Sequence, residues 1–465
     1  MIQESVKRLL HRVNNEDNHT REFPPSIYMA PSVLRDLSPS SFNPRLVSIG
    51  PLHREDENVK AFEGQKVSYL INLMSYINSP QEEILESCMQ KAYCVMNEIK
   101  GCYIWTKTFT DAEIAEMMVL DACFIIGFII DEHVSYHKKT YVEKQLQYRT
   151  IMNDMVLLEN QIPLFFLDQM FQCTVLKFNS NVSFIELIKP VLNSHKLFQA
   201  DLKFNNISFG TNDHFLSLLH QCYMPPARYI IKKCMSKIIH SAIDLDRAGV
   251  NFKPSKDPTW VMDMEVKQNQ YPCDRDHGHG PQMLGQGEPT RVHAPNLTRK
   301  RFPVCFNDRV HIKMGNGYLI HVPEWDTALS VHDSTELLFR NLIAYEQSFP
   351  TQCYVSSYAF VMDMLVNTQE DVAKLVESKV LVNIMSSNEE DANMINKICK
   401  NVIVSDSYYE EEWGKLINYC NGYWPKHIAK MRSTYFSSPW SIIALVAGII
   451  LFVLQALQTI FTIKH

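Results

Sequence analysis

No C-x-x-C pair occurs anywhere in this sequence, although it holds 12 cysteines among 465 residues. Cysteines scattered singly argue against a zinc framework or a disulfide framework, and read as free buried thiols. An excess of basic charge is missing too: 45 Lys and Arg against 51 Asp and Glu leave a net charge of −6, which gives no reason to expect nucleic acid as a partner. Also absent are the G-x-S-x-G elbow, the G-x-x-x-x-G-K-[ST] phosphate loop, a strand-linked G-x-G-x-x-G and the H-E-x-x-H zinc motif. The expectation is a protein that is not an enzyme and holds no cofactor. The N-terminus lacks an apolar core of signal-peptide length, since Glu4, Lys7 and Arg8 interrupt it. Ile2, Val6, Leu9, Leu10 and Val13 instead share one helical face, which predicts an amphipathic helix over residues 1–20 that docks on its own domain.

What is there begins with an apolar run. From Ser441 to Ile463 no residue is charged, and a helix of that length measures roughly 34 Å against a hydrocarbon core of about 30 Å. The run predicts one C-terminal transmembrane helix bounded by Ser441 and Ile463, with Lys430, Arg432, Tyr435 and Trp440 as interface anchors. Lys415, Lys426, Lys430 and Arg432 before it outnumber Lys464 after it. The positive-inside bias therefore predicts a single-pass, tail-anchored protein of the plasma membrane or endoplasmic reticulum with its large domain in the cytosol. Glycosylation sequons at Asn18, Asn181, Asn206 and Asn296 leave that orientation open.

The remainder, 21–440, reads as a single, mainly α domain, 46% of the whole chain being apolar and 21% charged. Prolines at 24, 25, 31, 39, 44 and 51 forbid a long helix there and predict an extended arm laid over the body. Helical spacing follows: Leu70, Leu73, Met74 and Ile77 share a face, and the nearly continuous apolar run Met117–Ile130 predicts a helix buried on most sides. Pro163 interrupts the helical stretch 151–171, so a kink or break belongs there, with Glu159, Asn160 and Gln161 filling it and satisfying the freed backbone groups.

A polar insert rich in Gly, Pro and Gln occupies 254–300, read as a loop between strand-like pieces. Asn316-Gly317 between the β-rich runs 310–314 and 318–322 is a hairpin signal, so a small antiparallel β element is predicted over about 258–322. Capping pairs mark three later helices: Asp333 with Glu336, Thr368 with Asp371, and Ser387 with Glu390. Glu336 also stands four residues before Arg340, a favourable helical pair.

Chemistry has few footholds. Cys273, Asp274, His277 and His279 crowd into "CDRDHGHG", but their spacing fits no zinc pattern, so the segment reads as a solvated loop and an interaction surface. His332, Asp333 and Ser334 are triad residue types, yet adjacent residues cannot form a relay. Asp121 and Cys123 inside "LDACFII" read as a paired carboxylate and an inert thiol.

Several stretches together resemble one family. "LVSIGPLH", "LDACFII", "DMVLLENQIPLFFL", "AIDLDRAGVNF", "STELLFRNLIAYEQ" and "YVSSYAFVMDMLVNTQEDVAKLV", with the apolar tail, run in the order of the plant proteins of domain of unknown function 247, from about residue 27 to 463. The chain departs from that pattern at "IYMAPSVLR", at "SIGPLHRE", which lacks the family's aromatic-His-His, and at Gly127, where an acidic residue is frequent. The resemblance implies a plant protein, a C-terminal transmembrane helix, no established chemistry, and a link to pollen self-incompatibility in grasses.

Two readings result. The first is a membrane-anchored interaction protein presenting loops to protein partners, with its oligomeric state open. The second is an enzyme of unrecognised class whose pocket gathers Glu159, Asn160, Gln161, Glu336 and Arg340; the same residues would serve equally as a structural polar network.

Overall fold

A computed structural model describes residues 3–7, 25–135, 142–198, 210–226, 240–255, 260–268, 310–316, 328–348, 352–384, 387–423 and 439–464, apart from single positions within them, and a few isolated residues such as Lys232 and Lys233. Its centre is the helix α3 (Asp111–Ser135). Ile114, Met118, Ala122, Phe124, Ile125 and Ile126 are all buried, so the apolar run is covered around its circumference. The helices α1 (Glu63–Ser75), α2 (Gln81–Cys94) and α5 (Leu164–Cys173) all pack on α3. Leu73 and Met74 point inward from α1, as their spacing predicts. Gly127 lets α1 come this close: a Cβ there would lie 2.9 Å from the Tyr69 carbonyl oxygen, so an acidic residue has no room at this position.

Helix α4 (Val142–Asp154) ends before Pro163, and α5 starts directly after it, so the predicted interruption is a full break. The chain continues through α6 (Phe184–Ser194) and α7 (Phe215–Cys222). A second group of helices follows: α8 (Thr335–Ser348), α9 (Tyr354–Leu365), α10 (Gln369–Glu377) and α11 (Asn388–Ile398), then α12 (Glu410–Cys420). The Asp371 carboxylate accepts from the Thr368 amide at 3.0 Å, and Ser387 Oγ accepts from the Glu390 amide at 3.2 Å, so both devices start their helices as read. Asp333 lies outside the described residues.

The β structure differs from the expected antiparallel element. Strands β2 (Asn251–Ser255), β3 (Met264–Gln268) and β4 (Val310–Asn316) form a sheet in the order β2-β4-β3. Only β3 runs antiparallel to β4; β2 is parallel to it. Pro254 is tolerated because β2 is an edge strand, irregular at Pro254 and Ser255. A further parallel pair joins β5 (Leu329–Val331) to β6 (Leu381–Asn383), and β1 (Lys232–Lys233) pairs antiparallel with β7 (Asp406–Ser407). Parallel pairing needs strands distant in sequence, which local alternation does not reveal. The return strand of the predicted Asn316-Gly317 hairpin, 318–322, lies outside the described residues, as do most of the polar insert and most of the N-terminal helix. Residues 3–7 of the latter are helical and exposed.

The transmembrane expectation is corrected. Among the described residues no helix is long and apolar enough to cross a membrane. The apolar run does form a helix, α13 (Pro439–Lys464). Side chains at the expected ends, Ser441 and Ile463, lie outside the described residues. The tail anchor, the membrane as partner and the single-pass location at the plasma membrane or endoplasmic reticulum fall with it.

Candidate functional site

The break at Pro163 and the proline-rich arm meet in one buried polar junction. A chain barred from long helix by its prolines leaves backbone amides that need partners once buried, and the helical body supplies them as side chains. Asp154, the last residue of α4, accepts from the amides of Arg45, Leu46 and Val47 at 2.9, 2.8 and 2.9 Å. Asn160 accepts from the Ile49 amide at 2.6 Å and donates to the carbonyls of Val47 and Asp154 at 3.0 and 2.9 Å. Gln161 donates to the carbonyls of Met155 and Leu157 at 2.8 and 2.6 Å, while its own carbonyl accepts from the Tyr103 hydroxyl at 3.0 Å. Glu159 accepts from the Ala30 amide at 2.9 Å, and its second oxygen lies 2.9 Å from His53 Nε2 and 3.2 Å from Arg35 Nη2. His53 reaches on to Asp56 at 2.7 Å.

A buried ion pair sits beside these contacts. Lys66 and Asp121, both fully buried, meet at 2.6 Å. The ammonium also donates to the Ser48 carbonyl at 2.6 Å and lies 2.6 Å from Glu63, and Asp121 accepts from the Gly50 amide at 2.8 Å. Gly50 adopts φ +72°, and a Cβ on it would lie 2.7 Å from the Gln161 carbonyl oxygen. Glycine is the residue this crossing accepts.

Burial sets the electrostatics. It pushes the Asp154 carboxyl up to about 6 against the three arm amides that favour its charged form. Burial likewise raises Asp121, opposed mainly by Lys66 and then by Arg54. Tyr103 is raised well above the ordinary phenol value, by burial first and by Cys102 and Asp121 after it.

Glu336 and Arg340 lie elsewhere on α8. They pair at 2.8 Å, and the guanidinium donates to the Lys397 carbonyl at 3.2 Å near the C-terminus of α11. Among the described residues no hydrogen bond or ion pair joins them to Glu159, Asn160 or Gln161. Their neighbour Asn341 makes that connection instead. It accepts from the Leu158 amide at 2.8 Å and donates to the carbonyls of Ser41 and Leu337 at 2.6 and 2.8 Å, stitching α8 to both the arm and the break. Asn341 carried no mark in the sequence beyond lying one position after Arg340.

A second buried cluster also escaped sequence reading. Glu346, near the end of α8, accepts from the amides of Val355 and Ser356 at 2.9 and 2.7 Å and so caps α9 from outside. The same carboxylate lies 2.8 Å from His220 Nε2 on α7. Tyr354 stacks on His220 at 4.3 Å between ring centroids, its hydroxyl 2.9 Å from Nδ1. Burial, then Glu346, raises the Tyr354 phenol well above its ordinary value.

Chemically, the junction holds backbone in place. The carboxylates of Asp121, Asp154 and Glu159 all end on amides of the arm, and Asp121 and Glu159 also meet a cation. Among the described residues no group of three or more His, Cys, Asp or Glu side chains could hold a metal ion. Cys273, Asp274, His277 and His279 lie outside the described residues. Cys123 is buried and free, and Asp121 beside it is paired as described.

No solved structure matches the chain. Two UPF0481 proteins of Arabidopsis thaliana are similar to it. One is 23% identical over 95% of this chain and 91% of its own length; the other is 23% identical over 93% and 85%. A profile of plant proteins of unknown function matches residues 27–275 and 306–454, so it takes in the arm, the break at Pro163 and α8 together. On that match the chain belongs to the plant family of domain of unknown function 247.

Proposed function

We propose that the protein is a non-catalytic interaction protein, a recognition component of self-incompatibility or a related signalling process, and that the polar insert carries its specificity. One observation carries this reading: the family match lapses from 276 to 305, from within the insert to just beyond its end, and resumes on the other side. The sheet supports it, since Gln268 at the end of β3 pairs with Val310 at the start of β4, so the insert leaves and re-enters the fold at one place. Segments presented from a fixed scaffold in this way are where binding residues concentrate.

The test is an exchange of residues 269–309 between this chain and another family member, followed by affinity capture of partners from the source tissue. Partner choice is expected to travel with the segment while the unfolding midpoint stays within a few degrees. Partner choice that stays with the scaffold would count against the reading.

A further inference from the structure

Two buried histidines touch the arm, and their ring nitrogens face opposite kinds of partner. His214, fully buried just before α7, meets one donor and one acceptor: Nδ1 accepts from the Ser217 amide at 3.2 Å, and Nε2 lies 3.2 Å from the Ser26 carbonyl oxygen. A neutral imidazole satisfies both, and burial pushes this ring down to about 3. His53, only 2% exposed, meets two acceptors. Its Nδ1 is 2.7 Å from Asp56 Oδ2, and its Nε2 is 2.9 Å from Glu159 Oε2.

A neutral imidazole has one N–H and one lone pair, so between two carboxylates it would press that lone pair against an oxygen. The surroundings keep both carboxyls in the acceptor role. Glu159 already accepts from the Ala30 amide at 2.9 Å and faces Arg35 at 3.2 Å, and the Asp56 side chain is 43% exposed to water. The other charged side chains of this corner are engaged elsewhere: Arg54 faces Glu63 at 3.0 Å and Asp121 at 3.8 Å, Glu55 pairs with Lys107, and Glu57 with Lys60. Among the described residues, Arg35, Asp56 and Glu159 are therefore the charged groups gathered around His53.

We propose that His53 carries a proton on both ring nitrogens and bridges Asp56 to Glu159 as a cation, forming a proton-operated catch whose Asp56 side opens as pH rises. Glu159 keeps the remaining N–H, because a desolvated carboxylate loses most when it loses a donor, whereas Asp56 turns to water. What loosens is the surface turn from His53 into the short helix Glu57–Lys60, which Asp56 directly precedes. Asn58 of that helix donates to the Pro44 carbonyl at 2.8 Å, so the outer edge of the arm loosens with it. The catch does not depend on the interaction reading.

The experiment follows hydrogen exchange of residues 53–60 in the full chain from about pH 5 to about pH 9, the range in which histidine changes charge, with rates corrected for the intrinsic effect of pH. Residues 214–222 serve as the internal reference. Protection of 53–60 relative to that reference is expected to fall roughly tenfold or more as pH rises, through loss of one charge-assisted hydrogen bond. Asp56→Asn is expected to abolish the step without unfolding the chain, since an exposed amide accepts from the cationic ring and donates to the neutral one. Ring-nitrogen NMR on isotope-labelled histidine, with His53→Gln to identify the signal, is expected to show two protonated nitrogens at the acid end and one at the alkaline end. A His53 ring with one bare nitrogen throughout, relative protection that does not change with pH, or a step that survives in Asp56→Asn overturns the proposal.

Discussion

Asp154 and Asp391 are both buried aspartates whose carboxyls burial raises to about 6, yet their surroundings are opposite. Asp154 receives three backbone amides from the arm; among the described residues Asp391 receives no donor. The comparison teaches that a raised carboxyl does not say whether the carboxylate is needed. At Asp154 the charge is costly but holds three amides that would otherwise be orphaned. At Asp391 the charge is costly and holds no partner among the described residues.

The strongest way to break the comparison is to remove a cation. Lys66→Met leaves Asp121 buried without its principal counter-charge, and should cost about 3–5 kcal/mol of stability in urea unfolding. A loss below about 1 kcal/mol would show that Asp121 is held neutral by its surroundings. Next in size is Asp154→Asn, which keeps one acceptor oxygen for Leu46 and Val47 but turns an amide donor toward the Arg45 amide, and should cost about 1–3 kcal/mol, with faster hydrogen exchange across the arm.

Asp391→Asn should do the reverse, raising stability at pH 7 by on the order of 1 kcal/mol after allowance for screening. The pH dependence follows from the same shift. Both folded-state values lie above the ordinary unfolded value of about 3.9, so the folded form takes up protons first. The contribution of these two groups to stability therefore improves as pH falls from about 7 through 6 toward 4, and flattens below that. Asp391→Asn should remove part of that slope in a series of unfolding curves, whereas an unchanged slope would place the titration elsewhere. The smallest effect belongs to Glu336→Gln, which loosens a partly exposed helical pair by about 0.3–0.5 kcal/mol. A larger loss of folded yield would make Glu336 part of the core architecture, and loss of an activity without loss of fold would revive the enzyme reading.

Much of the helical framework was legible because its causes are local. Pro163 breaks the helical stretch around it and stands directly before α5, Thr368 with Asp371 opens a helix, and the run through Phe124 is buried because it is apolar on every face. The three polar residues at the break were visible for the same reason: they stand beside a proline that frees carbonyls. Legibility stopped at the partners. Nothing near Asp121 names Lys66, nothing near Asp154 names the amides of 45–47, and Asn341 lies 183 residues from the amide it accepts from. The C-terminal run shows the same boundary: its apolar composition gave a helix, but not the membrane span expected of it.

By itself the sequence determined where helices start, stop and turn apolar, because those outcomes depend on sterics and hydrogen bonds within about one turn of chain. Tertiary structure alone decided that the arm would be fastened by Asp121, Asp154, Glu159 and Asn160, and that Gly50 and Gly127 would sit where two backbones nearly touch. It also decided that Asp391 would be buried without a donor among the described residues. The physical reason is that a buried polar group is satisfied by whatever packing brings within about 3 Å, and packing brings together residues that the chain keeps far apart.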